Sequence, residues 1–230
     1  MAAKLAERYG ATVSGADPSA EILEVARDRA SHGIATLELG TAESIPFPDG
    51  HSERALMQLV VHHVDRPRVF VELYRVLGSG GRLVISTVNP ASVDRFWLSN
   101  LFPSYATIDR RRFPAPGLLS TELETAGFFA VRSTPLEECK VYELERTLRM
   151  LRGRFASSFA LMNDEEYHAG LERGARAART DRVRDRTGGY HRAALNSARL
   201  VGKDPRRLGL RSNAPRIPRG RATLRPRLRR

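Results

Sequence analysis

Cysteine is nearly absent from this sequence: its 230 residues include a single one, Cys139. One cysteine cannot form an internal disulfide and offers no spaced set of ligands to a metal ion, which excludes disulfide scaffolds and zinc modules. A reducing, cytoplasmic setting is the expectation that goes with this composition.

Long apolar runs and targeting segments are also lacking. No stretch approaches the roughly 18 apolar residues that a membrane span needs, and the first ten residues hold no apolar core of signal-peptide length. No internal repeat is found. We expect a soluble chain that is long enough for one α/β domain, or for such a domain with a tail.

Acidic residues are almost missing from one end of the chain. Residues 1–174 hold 20 Lys and Arg against 23 Asp and Glu, a net charge of −3, whereas residues 175–230 hold 18 against 3, a net of +15. Apolar periodicity also stops at Gly174. Because so polar a segment buries too little surface to offset its ordering entropy, residues 175–230 are predicted to be a disordered, Arg-rich tail.

The first 174 residues contain alternating strand and helix patterns, which are typical of a doubly wound parallel α/β sheet. The predicted strands are residues 11–16, 34–39, 55–61, 82–88 and 128–133. The predicted helices are residues 2–9, 18–30 or 20–30, 66–77, 118–126, 143–154 and 164–173. Strand 55–61 is expected to be buried on both faces. The second helix is expected to bury Ile22, Val25, Ala26 and Ala30.

Asp17 ends the first predicted strand. A carboxylate in that place is able to accept both ribose hydroxyls of a nucleotide that lies across the strand ends. Asp17 or Ser19 is also suited to cap the helix that follows. The spacing alone leaves both roles of Asp17 open.

The motif Gly40-Thr41-Ala42-Glu43-x-x-Pro46-Phe47-Pro48-Asp49-Gly50 is followed by a strand, His62-His63-Val64, a helix and Leu77-Gly78-Ser79-Gly80-Gly81. This order resembles the class I S-adenosylmethionine-dependent methyltransferases, above all the small-molecule group of the ubiquinone and menaquinone biosynthesis enzymes. The resemblance covers residues 2–174. It implies a Rossmann-like fold, S-adenosylmethionine as cofactor and methyl transfer to a small-molecule acceptor.

The resemblance also implies a set of cofactor-binding residues. Asp17 would bind the ribose of S-adenosylmethionine. Thr41 and Ala42 would lie beside the adenine, and Met57 and Gln58 would line the methionine part. No metal site is implied.

His62 and His63 would lie near the mouth of the cleft. A neutral imidazole there is suited to act as a general base, and packing of the strand-to-helix loop is the other interpretation. The aromatic-rich residues 96–113 are interpreted as a lid over an apolar or aromatic acceptor, or as a packed satellite helix. Helical cap elements are placed at about 90–115 and 140–174.

Parts of the family pattern are absent. The glycine-rich loop and its strand would precede Ala2, and the last strand is replaced by the basic tail. Arg54 brings a charge into a strand position that is usually apolar, and Ser79 stands where proline is usual. We therefore expect a truncated, incomplete sheet, and we interpret Met1 as an internal start and the residues after Gly174 as read out of frame.

Three alternative functions remain. The basic tail predicts non-specific, salt-dependent binding to nucleic acid. A nicotinamide dehydrogenase would also use Asp17 for its ribose, although the loop at 40–50 and the His62-His63 pair argue against it. The chain is also interpretable as a degenerate methyltransferase fragment without catalysis. The sequence predicts no oligomeric state.

Overall fold

The computed structural model of the protein describes residues 2–29, 35–135, 138–140, 144–184, 191–193 and 196–203. Its helices are α1 (Ala2–Tyr9), α2 (Ala20–Arg29), α3 (Arg66–Val76), α4 (Leu98–Leu101), α5 (Tyr105–Arg112), α6 (Pro116–Thr125), α7 (Leu144–Arg152) and α8 (Asp164–Arg184). Two 3-10 turns span Pro90–Arg95 and Ser157–Leu161. The strands are β1 (Val13–Asp17), β2 (Ala35–Leu39), β3 (Ser52–Gln58), β4 (Leu77–Thr87), β5 (Phe128–Thr134), β6 (Glu138–Lys140), β7 (His191–Ala193) and β8 (Asn196–Lys203).

The strands form three hydrogen-bonded groups. β1 and β2 are parallel, with Asp17 opposite Leu39 at their carboxyl ends. The largest sheet has the order β3-β4-β8-β5, in which β3 and β4 are parallel and β8 is antiparallel to both of its neighbours. β6 and β7 form a short antiparallel pair. Among the described residues no strand ladder joins β1 to β3.

The structure differs from the predicted tail in two places. α8 continues beyond Gly174 to Arg184, and β8 lies between β4 and β5, with Val201 opposite Leu83. The predicted disorder is therefore wrong for these residues, and a last strand is present where its loss was expected. The reason is tertiary: two neighbouring strands supply backbone hydrogen bonds that the composition of the segment does not reveal. Residues 204–230 lie outside the described residues.

The strand predicted at 55–61 is displaced toward the N-terminus. β3 ends at Gln58 because Leu59 has a φ of 53°, in the left-handed region. Met57 is buried but Leu56 is 44% exposed, so the expectation of two buried faces is wrong. β3 is an outer strand of its sheet, and an exposed outer strand also accommodates the charge of Arg54.

α2 buries its predicted face only in part: Ala26 is half-buried, and Ala30 lies outside the described residues. Leu23 is 3% exposed, whereas Ile22 and Val25 are 56% and 48% exposed. The pair β1–β2 presents a narrow surface to the helix, and Leu23 with half-buried Ala26 covers it. The prediction for α1 is confirmed, and Gly10 closes that helix with a φ of 62°.

Two apolar clusters hold the fold together. The first, the sheet core, packs α3 and α6 against β3, β4 and β5, and α3 buries its predicted face there. Its buried residues are Met57, Val61, Val69, Phe70, Leu73, Leu77, Leu83, Ile85, Leu119, Leu123 and Phe128. The second, the cap core, contains Trp97, Leu98, Phe102, Tyr105, Leu151, Phe159, Met162 and Tyr167. None of the described helices has the length and apolar character to cross a membrane.

Candidate functional site

Residues 40–50 form the loop that leads from β2 into β3. At its start the Gly40 N–H donates to the Asp17 carbonyl oxygen at 3.2 Å, which extends the β1–β2 pairing by one bond. A Cβ on Gly40 would lie 2.7 Å from Cδ of Pro46. Glycine is therefore required where the loop folds back against its own proline.

Arg75 of α3 holds the middle of this loop. Its guanidinium donates to the carbonyl oxygens of Ile45 at 3.0 Å and Phe47 at 2.9 Å, and to the carboxylate of Asp49 at 2.8 Å. Glu72 accepts from the same guanidinium at 2.6 and 2.9 Å and from the Ile45 N–H at 2.9 Å. Hydrogen bonding within the pair raises the pKa of Arg75 and lowers that of Glu72. We call these contacts the loop clamp.

Glu43 ties the same loop to the segment that follows β3. Its Oε1 accepts the Asp65 N–H at 3.0 Å, and this bond is the main cause that lowers the pKa of Glu43. Asp65 in turn caps α3 by accepting the N–H of Arg68 at 3.4 Å. The loop at 40–50 is thus bonded to the carboxyl end of the segment that carries His62 and His63.

Asp17 lies at the carboxyl end of β1 and is half-buried. Its Oδ1 accepts the N–H of Ser19 at 2.9 Å, and Ser19 Oγ accepts the N–H of Ile22 at 3.2 Å and so caps α2. Among the described residues, Oδ2 of Asp17 has no hydrogen-bond partner. One carboxylate oxygen therefore supports the turn, and the other is available to a ligand.

The other predicted cofactor residues fall into two pairs. Thr41 is exposed and bridges Ser44, while Ala42 packs half-buried against the sheet core. In β3, the alternation of side chains directs Met57 into the sheet core and leaves Gln58 exposed. Because the Met57 side chain packs in the sheet core, only the backbone of Met57 is available to a ligand at the end of β3.

A cavity of about 330 Å³ opens at the carboxyl ends of β3 and β4, since Leu59 and Val88 directly follow those strands and line it. The remaining lining residues are His62, His63, Ser92, Val93, Phe96, Tyr105, Asp109, Phe113, Phe155, Ala156, Ser157 and Ser158. The structure thus brings both predicted histidines to the cavity. The five predicted cofactor residues are not among those that line it.

His62 is half-buried between two rings, with its centroid 4.0 Å from that of His63 and 4.1 Å from that of Phe113. Its Nδ1 is buried and has no hydrogen-bond partner among the described residues. Burial, with smaller contributions from the charges of His63 and Arg112, lowers the pKa of His62 to about 3. Burial also lowers the pKa of His63. The His62 imidazole is therefore neutral at pH 7.

Arg112 organises the polar end of the cavity. Its Nη1 donates to Ser158 Oγ at 3.0 Å and its Nη2 to Ser157 Oγ at 2.9 Å. Ser158 Oγ donates to Oδ1 of Asp109, which lies 3.6 Å from Nη1 of Arg112. Nε2 of His63 is 3.4 Å from Ser157 Oγ. We call these five residues the cavity network.

Asp109 is the buried acid of this network, with 3% of its surface exposed. Burial raises the pKa of Asp109, against the opposing effects of hydrogen bonds from Ser158 and Tyr105 and the charge of Arg112. Burial likewise raises the pKa of Tyr105, whose hydroxyl hydrogen-bonds with Asp109. The phenol therefore keeps its proton at neutral pH.

The sequence marked residues 96–113 as a region of interest but missed the polar cluster within it. Phe102 lies in the cap core, whereas Phe96 and Phe113 line the cavity. α5 contains a single acidic residue, Asp109, next to the basic run that ends at Arg112. This neighbouring acid was the one feature of the sequence that pointed to the polar cluster. Nothing local connects Asp109 with Ser158, which lies 49 residues further along the chain.

Known proteins resemble this chain over parts of its length. A family model described as a methyltransferase domain matches residues 1–85. The chain is 32% identical over 151 residues to the demethylmenaquinone methyltransferase of Thermus thermophilus, an alignment that covers 56% of this chain and 69% of that protein. It is 41% identical over 92 residues to methyltransferase GfsG of Streptomyces halstedii, covering 38% of this chain and 33% of GfsG. It thus spans about a third of GfsG.

A solved structure also resembles the fold of this chain over most of its length. A crystal structure of a putative methyltransferase from an antibiotic biosynthesis pathway of Anabaena variabilis superimposes with a TM-score of 0.62 at 21% identity. The superposition covers 83% of this chain and 81% of the other. At that identity the likeness shows the fold, and it confirms the predicted Rossmann-like α/β class.

Proposed function

Because the chain belongs to the class I S-adenosylmethionine-dependent methyltransferases, we propose that it transfers a methyl group from S-adenosylmethionine to a small-molecule acceptor. The observation that carries the proposal is the cavity, which begins where β3 and β4 end and is lined largely by apolar and aromatic side chains. Small-molecule sites of doubly wound sheets lie at this edge.

S-adenosylmethionine fits the residues at the strand ends. The free Oδ2 of Asp17 matches a ribose hydroxyl, and Thr87 Oγ1 at the end of β4 is buried without a partner among the described residues. Asp17 would hold the ribose and the loop from Thr41 the adenine, with Gln58 at the methionine part. When bound, S-adenosylmethionine supplies a methyl group on a positively charged sulfur, which is already an activated leaving group.

The chain's own residues then have to align the acceptor and exclude water. The aromatic rings of Phe96, Phe113 and Phe155 supply a water-excluding wall. A group whose pKa is about 3 is a weak proton acceptor at neutral pH, so His62 suits a packing role better than that of general base. His63, held beside Arg112 and Ser157, is the better placed of the two to receive a proton.

Calorimetric titration of the full chain with S-adenosylhomocysteine, and separately with NAD, tests the proposal. We expect binding of S-adenosylhomocysteine and none of NAD. Asp17→Asn keeps the oxygen that accepts from Ser19 but removes the charge, and should weaken binding by roughly ten- to a hundred-fold. Asp28→Asn, an exposed carboxylate of α2, is the matched control and should change nothing. Binding of NAD alone would support the dehydrogenase alternative.

The remaining alternatives stay predictions. Part of the basic segment, Asn196–Lys203, forms the inner strand β8, which argues against treating the whole segment as a nucleic-acid tail. A protein that melts cooperatively but binds neither S-adenosylhomocysteine nor NAD would fit the degenerate fragment.

A further inference from the structure

The walls of the cavity are suited to a flat apolar molecule. Apart from Ser92, His62 and the polar end, the lining consists of aliphatic and aromatic side chains: Leu59, Val88, Val93, Phe96, Tyr105, Phe113, Phe155 and Ala156. Aromatic rings offer large rigid faces that stack against other rings. A volume of about 330 Å³ is at the lower end for small-molecule sites, which favours an acceptor of one or two rings.

The polar side chains of the wall are largely occupied with one another. Ser158 accepts from Arg112 and donates to Asp109. Ser157 accepts from Arg112 and contacts His63. The cavity network therefore largely satisfies its own hydrogen bonds. Among the described lining residues, Nδ1 of His62 is the one buried side-chain atom without a partner, and a single atom is too little to replace the hydration shell of an ionised ligand.

The charges at the polar end also balance. Among the described residues that line the cavity, Asp109 is the one carboxylate, and the guanidinium of Arg112 lies 3.6 Å from it. His62 is a neutral ring at pH 7. An ammonium or a carboxylate that entered the cavity would meet no unpaired charge of the opposite sign, and burying it there would be strongly disfavoured.

We infer that the cavity takes an uncharged, ring-bearing acceptor and discriminates against amines and carboxylates, through the neutral pair Asp109–Arg112 and the aromatic wall. This inference rests on the proposed function, because it names the acceptor class of the same site.

Three probes with one ring system and different charges test the inference. The full chain is titrated at pH 7 with 2-naphthol, 2-naphthoate and 2-naphthylmethylammonium, with and without S-adenosylhomocysteine. We expect 2-naphthol to bind at least ten-fold more tightly than either ion. Equal or tighter binding of an ion would overturn the inference, as would the failure of 2-naphthol to bind a chain that binds S-adenosylhomocysteine.

Asp109→Asn removes the counter-charge of Arg112 with little change of shape. The affinity for 2-naphthoate should rise about ten-fold, while that for 2-naphthol should stay within about two-fold. Asp94→Asn is the matched control, because Asp94 is exposed and paired with Arg110 outside the cavity. An unchanged preference in Asp109→Asn would overturn the charge argument. If this variant does not melt cooperatively, the three probes on the unmodified chain decide alone.

The two proposals fail separately. Preference for 2-naphthol without binding of S-adenosylhomocysteine would refute the proposed function, while it would support the inference that the cavity takes an uncharged, ring-bearing molecule.

Discussion

The two sides of the candidate site are held by different forces. On one side, the loop at 40–50 is fixed by the loop clamp, in which Arg75 donates to two backbone carbonyl oxygens and one carboxylate at 2.8 to 3.0 Å. On the other side, the cap core is fixed by rings. The centroid of Phe159 lies 4.9 Å from that of Phe102 and 5.4 Å from that of Tyr167.

The two sides should therefore be sensitive to different kinds of substitution. The side chain of Arg75 is 32% exposed, so salt partly screens its ion pairs and they contribute little to the free energy of unfolding. The main effect of Arg75 is to fix the conformation of the loop at 40–50. Phe102 and Phe159 are fully buried, so the cap core tolerates changes of volume poorly. Changes of charge should therefore act on the loop side and changes of volume on the cap side.

Gly170→Ala should have the largest effect. Gly170 lies in α8, and a Cβ there would clash with Cε1 of Phe102, whose ring is fully buried in the cap core. We expect the free energy of unfolding, measured by urea denaturation, to fall by about 2–3 kcal/mol, as for overpacked cores.

Gly174→Ala is the matched control one turn later in α8. Its Cβ would meet only the ends of Leu151 at 3.3 Å and Leu101 at 3.4 Å, which are flexible. The better helix propensity of alanine should leave this variant near or slightly above the original stability. Equal losses in the two variants would refute the view that Phe102 sets the limit.

Arg75→Gln should have an intermediate effect, on binding more than on stability. Without the guanidinium, the loop must be ordered when the cofactor binds, and the affinity for S-adenosylhomocysteine should fall roughly ten-fold. Calorimetry at low and moderate salt measures the change. Arg82→Gln removes an exposed arginine of β4 and serves as control. If both variants bind equally well, the loop clamp does not shape the site.

His62→Phe should have the smallest effect, visible as a change in pH dependence. The pKa of His62 is about 3 in the folded chain and 6.5 ordinarily, so below pH 6.5 the unfolded state binds more protons and stability falls with falling pH. His63 acts in the same direction, whereas the raised pKa of Asp109 gives stability that is lost as pH rises.

The phenylalanine variant keeps the ring but does not titrate. Its free energy of unfolding should therefore fall by about 1 kcal/mol less than that of the original chain between pH 6.5 and 5, because the roughly 1.6 kcal/mol of the full shift is reduced by the partial exposure of His62 to solvent. Urea denaturation across this range measures the difference. Parallel curves for the two proteins would mean that His62 is not held neutral by the fold.

The fold was predictable wherever the pattern was local. Helix α3 buries the face that its periodicity indicated, including Val69 and Leu73. Two expectations failed because burial depends on neighbours: Leu56 faces outward on an outer strand, and Ile22 is exposed beside a narrow sheet. β8 was missed because a strand between two others draws its hydrogen bonds from partners that are distant in sequence.

In the candidate site, too, the features encoded locally were predictable and the contacts between distant residues were not. The sequence by itself determined the loop at 40–50, the acid at the end of β1 and the histidine pair after β3, because strand ends and turns are encoded by adjacent residues. Only the tertiary structure decided which of these meet. It brought the histidines, Asp109 and Ser158 to one cavity and paired Arg112 with Asp109 and Ser158, because packing and charge pairing bring together elements that no local pattern connects.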